Sequence, residues 1–140
     1  MAAYNKFQDF SEQLVRGTHN FASNVFKVYL TNDTPSASAD AVKADLAEIS
    51  GGNGYTAGGA TTTITISETT GTTTVSGTQA SWTATGSVGP FRYAVLYNDT
   101  SASDNLVAWW DYGSSVTLAN GESFTVKFSG TDPGAIFTLA

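Results

Sequence analysis

The stretch Phe91–Gly113, FRYAVLYNDTSASDNLVAWWDYG, decides the reading of the fold. Phe91, Tyr93, Val95 and Tyr97 alternate with Arg92, Ala94 and Leu96, so bulk falls on both faces at a period of two. That pattern predicts a strand covered on both sides, in the middle of a sheet. Asn98-Asp99-Thr100-Ser101 breaks the run with residues whose short side chains bond the local backbone. Leu106–Trp110 resumes it, and Asp111-Tyr112-Gly113 ends it. Neighbours on a strand point to opposite faces, so one of Trp109 and Trp110 must turn inward. The outward one is better read as core or interface than as a sugar platform, given how much area a tryptophan buries.

Outward from this pair the pattern stays β. Phe26, Val28 and Leu30 alternate with Lys27, Tyr29 and Thr31. Ile64 and Ile66 alternate with Thr63, Thr65 and Ser67, and Thr72–Val75 follows Thr70-Gly71. Ala80, Trp82 and Ala84 alternate with Ser81, Thr83 and Thr85. Val116 and Leu118 lead through Asn120-Gly121 into Phe124, Val126 and Phe128, which reads as a hairpin on a type I′ turn. Ala135–Leu139 reads as a last strand. About eight short strands with turn signals between them predict a mainly β, single-domain antiparallel sandwich or jelly roll.

Two helices are expected. In Tyr4–Asn20, Phe7, Phe10, Leu14 and Val15 recur at helical spacing, with Asp9 and Glu12 early, Arg16 late and Gly17 as a stop. Residues 1–20 are read as a helical arm before a sandwich of residues 21–140. Whether that helix packs on its own sheet or docks on a neighbouring subunit stays open. Ala39–Ile49, with Val42, Leu46 and Ile49 in register, predicts a short amphipathic helix. GGNGYTAGG, Gly51–Gly59, reads as a mobile loop that orders against a partner, or as a plain connector. The Asn-Asp-Thr and Ser-Ala-Ser sequence after Leu30 returns after Leu96. Convergent turn chemistry explains it better than a pair of similar loops at one end of the sandwich.

Composition narrows function. Of the 140 residues 13% are charged and the net charge is −6, which argues against nucleic-acid binding, carried mainly by clustered Lys and Arg. With no Cys and one His, zinc has no ligand set. His19 stands beside Thr18 and Asn20 with no nucleophile context, so it reads as structural and no enzyme or cofactor is expected. Asn98, Asp99, Asp104, Asn105 and Asp111 could offer oxygens to calcium, but their spacing fits solvated turn acids better. No basic-then-apolar leader opens the chain and no apolar run could span a bilayer, so no membrane partner is expected. The sequons at Asn32 and Asn98 matter only on secretion.

NKFQDF…LVRGTHNF, KVYLTNDTP, GGNGYTAGG and PFRYAVLYNDT…LVAWWDYGSSVTLANGESFTV together resemble small accessory structural proteins of tailed bacteriophages, notably jelly-roll capsid cement, or decoration, proteins. The resemblance implies a protein made in the host cytoplasm that binds the outside of a preformed shell, with the major capsid protein as partner and the virion exterior as its location. It carries no residue-level site. The acidic surface suits an outer face, and a homodimer is expected because twofold pairing is the commonest closed symmetry. Tyr4, Phe7, Phe10 and Leu14 of the arm and Tyr55 of the glycine-rich loop are the candidate partner-binding residues. The alternatives are a tail, neck or fibre component with a receptor- or glycan-binding role, and a non-viral adhesin-like or secreted enzyme-accessory domain.

Overall fold

A computed structural model describes residues 2–140. It is mainly β, antiparallel throughout, with one short helix. The strands are β1 (Asn5–Lys6), β2 (Phe26–Thr31), β3 (Ala60–Thr62), β4 (Ile64–Thr69), β5 (Thr72–Gly77), β6 (Ala80–Thr83), β7 (Val88–Asn98), β8 (Leu106–Leu118), β9 (Ser123–Val126) and β10 (Gly134–Leu139); the helix is α1 (Gln8–Val15). A five-stranded sheet in the order β1-β8-β7-β2-β3 forms one layer. The three-stranded sheet β10-β5-β4 and the ribbon β6-β9 form the other.

β7 lies mid-sheet between β8 and β2, and its alternation is used on both sides. Ala94 and Leu96, with Phe26, Val28, Leu30 and Trp110, face the main core, where Val75, Trp82, Phe128 and Ile136 of the opposite layer meet them. Val95 and Tyr97 point the other way, joining Phe7, Tyr29, Leu46 and Leu106 in a second cluster. Val107 is an extra residue between the Leu96–Ala108 and Tyr97–Leu106 pairs. The bulge lets it join Ala108 in the main core.

Several expected elements differ. The first helix is only Gln8–Val15, and the residues before it form β1, paired with Ala108 and Trp109 of β8. Gly17, at φ +82°, ends the turn after it. Phe7 and Phe10 are both buried, so this segment packs on its own sheet and does not stand apart as an arm. Ala39–Ile49 contains only a 3-10 turn at Lys43–Asp45. Side chains hold its backbone instead: Asp45 accepts from the Ala41 and Val42 amides, and Asp33 accepts from that of Ala47. Such local bonds compete with a helical ladder.

The glycine-rich loop is not a free connector. Gly52 and Tyr55 exchange backbone bonds of 2.7 and 3.1 Å, and Tyr55 inserts into the core. A Cβ on Gly59, at φ +84°, would run into the carbonyl of Val28, so only glycine lets the loop approach β2. Asn120-Gly121 is not a hairpin turn either. Val116 and Leu118 stay paired with β7, while β9 crosses to β6 in the other layer. Two-residue turns with both φ values positive are instead Thr70-Gly71, at +50° and +83°, joining β4 to β5, and Asn53-Gly54, at +55° and +95°, between the paired Gly52 and Tyr55.

Candidate functional site

Of the five residues singled out as partner-binding, Phe7, Phe10 and Tyr55 are 0, 3 and 2% exposed. They are committed to the chain's own packing, which corrects the expectation of free aromatic anchors. Phe7 lies 4.6 Å from Trp109 between ring centroids, and Phe10 packs edge-on against Phe21 and Phe137. Tyr4 is half-buried against Trp110, 6.0 Å between centroids, and burial pushes its phenol up to about 12. Leu14 is half-buried beside the main core.

The Asn98–Asp111 segment is structural. Asn98 is fully buried, and its Nδ2 donates to the Thr18 carbonyl and to Asn24 Oδ1 and lies 3.2 Å from His19 Nδ1, while its Oδ1 accepts from the Thr100 and Ser101 amides. Asp99 pairs with Lys27 at 3.1 Å and Asp111 with Arg92 at 2.8 Å. Among the described residues no group of three or more His, Asp or Glu converges on a metal-sized site. The repeated Asn-Asp-Thr turns lie at opposite ends of the sheet, because β2 and β7 run antiparallel with Phe26 opposite Asn98 and Thr31 opposite Tyr93. They form no paired loops.

The tryptophans divide as the alternation requires. Trp110 is 5% exposed and turned to the main core, while Trp109 is half-buried against Phe7 on the other face. Two residues on from Trp110, Tyr112 shares its face but is 58% exposed. There an open cleft of about 350 Å³ lies between β7–β8 and β9. Trp110 and Ala94 belong to its floor, Tyr112 and Phe124 to its walls, Arg92 and Lys127 to its rim. The Tyr112 and Phe124 rings meet edge to face at 5.4 Å, and Phe91 backs Phe124 at 4.8 Å.

The cleft's charge is set by a fork. Arg92 donates from Nε and from a terminal nitrogen to the two oxygens of Asp111, at 2.8 and 2.9 Å. That hydrogen bonding holds the Asp111 carboxyl below the usual range and raises the guanidinium. Lys127 forms no ion pair among the described residues, so the rim carries a net positive charge on a chain of net −6. The indole Nε1 of Trp110 is buried and meets no acceptor among the described residues. An aromatic-walled cleft with a cationic rim can seat an apolar side chain or the flat face of a sugar, and favours a carboxylate beside it.

Residues of this cleft were singled out from sequence only through Trp110. The signal available for Tyr112 was its spacing of two from that tryptophan; Arg92, Phe124 and Lys127 carry none, since they come together only through tertiary structure. Comparison with family models, with curated proteins and with solved structures found no match.

Proposed function

We propose that the chain is a structural subunit of a tailed-bacteriophage particle, a decoration protein that docks on the outside of the assembled shell through the Tyr112–Phe124 cleft. The observation that carries the reading is this solvent-open aromatic cleft with Lys127, in no ion pair among the described residues, at its rim on an otherwise acidic molecule. Exposed aromatic walls of this kind suit a partner's apolar anchor next to an acidic residue. The sequence resemblance supplies the partner, the major capsid protein. An oligomeric lattice that repeats its sites at fixed spacing would also multiply a weak contact through avidity.

Co-sedimentation with purified shells tests it. The chain should sediment with assembled shells and weakly with free shell subunits. Tyr112→Asp should reduce shell binding by more than about tenfold with little change in melting temperature, because Tyr112 is already exposed. Equal binding by the variant would overturn the cleft as the docking face. The exposed Tyr112 ring also supports a second reading, a tail or fibre component that stacks on a glycan. Binding to host cells or purified surface glycans, with none to shells, would put that reading first.

A further inference from the structure

We propose that β4 is a dimerisation edge: two copies of the chain pair antiparallel along Ile64–Thr69, about a twofold axis through Ile66, into one six-stranded sheet. β4 ends the order β10-β5-β4, and among the described residues nothing hydrogen-bonds to its outer side. The residues from Thr65 to Thr69 are all exposed, and Ile66 is among the exposed large apolar side chains at 44%.

Natural sheets blunt such edges with lysine, proline, a bulge or brevity. Three of the other open edges do so: β1 is two residues long with Lys6, β3 has three, and β10 carries a bulge between Ala135 and Phe137, while β6 and β9 of the ribbon are four residues each, shorter than β4. β4 pairs with β5 over six residues without a break in register. Its one charge, Glu68, folds back so that Oε1 accepts from the Gly71 amide at 2.6 Å, and does not guard the edge.

The turn fixes which groups face outward. A two-residue turn makes Thr69–Thr72 a hydrogen-bonded pair, and bonded pairs alternate along an antiparallel ladder. The amides and carbonyls of Thr65, Ser67 and Thr69 therefore turn to β5, and those of Ile64, Ile66 and Glu68 turn to the free edge. A twofold axis through Ile66 sets Ile66 opposite its twin as a bonded pair and Ile64 opposite Glu68. Every outward amide on the strand then has a partner, the two Glu68 side chains stay apart, and the two exposed isoleucines cover each other. Shifting the axis to Ser67 would put Glu68 opposite Ile66 and leave fewer bonds. This pairing does not depend on shell docking, since β4 contributes nothing to the Tyr112–Phe124 cleft.

Sedimentation equilibrium on the full chain tests it. The wild type should be a dimer at roughly hundred-micromolar concentration, as suits a small interface. Ile66→Pro removes an outward amide and leaves the β5 ladder intact, and should weaken the dimer about tenfold or more. Ile66→Lys, which keeps the backbone, should do the same by setting two charges side by side, so a folding failure of the proline variant leaves the test standing. Leu139→Lys, on the exposed end of β10, removes a comparable exposed apolar side chain away from the edge and should leave the dimer unchanged. A monomeric wild type, a dimer that survives both Ile66 variants, or a dimer lost only in Leu139→Lys would each overturn the pairing. Monomeric Ile66 variants that still sediment with shells would leave the docking reading intact.

Discussion

The hydroxyl of Tyr55 donates to Oε1 of Glu48 at 2.7 Å, and through that bond the glycine-rich loop is fastened to the cover of the central sheet. The same hydroxyl accepts from the amide of Leu30 at 3.1 Å, reaching β2 in the sheet itself. Glu48 also accepts from the Gly58 amide at 2.6 Å and from Lys43 Nζ at 2.8 Å, so one carboxylate gathers three donors. Burial, reinforced by Glu48, pushes the Tyr55 phenol above its ordinary range, and it stays a neutral donor at every relevant pH.

Tyr55→Phe should therefore destabilise by about 1–3 kcal/mol, since the ring still fills its place but the buried Leu30 amide loses its acceptor. Glu48→Ala should cost more, because it leaves Lys43, Tyr55 and Gly58 all without an acceptor. Urea unfolding of both variants checks the order. If Tyr55→Phe matches the wild type, the hydroxyl is not what anchors the loop.

Why the loop was unreadable from sequence has a physical answer. Five glycines around one aromatic carry no periodicity, and their order comes from Gly59 fitting under the Val28 carbonyl and Tyr55 fitting the core. The spacing of Val42, Leu46 and Ile49 likewise fits a helix, yet each is claimed by a different neighbour. Val42 bridges Asn105, Leu46 joins the outer cluster and Ile49 packs on the main core. Asn120-Gly121 has strong local turn chemistry, but pairing partners are chosen by the sheets. What was legible was the strand whose own alternation records two covered faces, Phe91–Tyr97, and the opposed directions of Trp109 and Trp110. The cleft was not, because Arg92, Tyr112 and Phe124 lie on three strands, with Lys127 just past the end of β9, and no local pattern encodes their association.

His19 gives the fold a defined acid sensitivity. It is 4% exposed, with Nδ1 against Asn98 Nδ2 at 3.2 Å and rings of Phe10, Phe21 and Phe26 around it. Burial lowers its pKa from 6.5 to about 4, with Asp9 opposing the shift. The unfolded chain therefore takes up the proton first, so this contribution is complete above pH 6.5 and is lost as pH falls toward 4. The loss should be on the order of 2–3 kcal/mol. Asp45 and Asp111, whose pKa values are lowered by the Ala41 and Val42 amides and by Arg92, lose their contributions only at lower pH, below the ordinary carboxylate value of 3.8. Melting temperatures of the wild type and His19→Gln between pH 7 and about 4.5 check this. The wild type should fall steeply and the variant should flatten; parallel curves would show that His19 is not the sensor.

Phe7 tests whether the N-terminal segment is part of the domain. Its side chain is fully buried against Trp109, Tyr29 and Val95, and its amide donates to the Val107 carbonyl at 3.2 Å. Phe7→Ala should cost about 3–5 kcal/mol by leaving a cavity under the outer face of the central sheet. Deleting residues 1–11 removes Phe7, Phe10 and the β1 pairing together, and should abolish cooperative unfolding. Tyr4→Ala, at a half-buried ring, should cost distinctly less than Phe7→Ala. Chemical denaturation with circular dichroism separates these outcomes, and a truncated chain that melts like the wild type would make the segment a dispensable appendage after all. The distinction governs how docking is mapped. A truncation that unfolds the sandwich would lose shell binding whatever the docking face, so only surface variants such as Tyr112→Asp or Lys127→Glu, which leave Phe7 in place, can locate it.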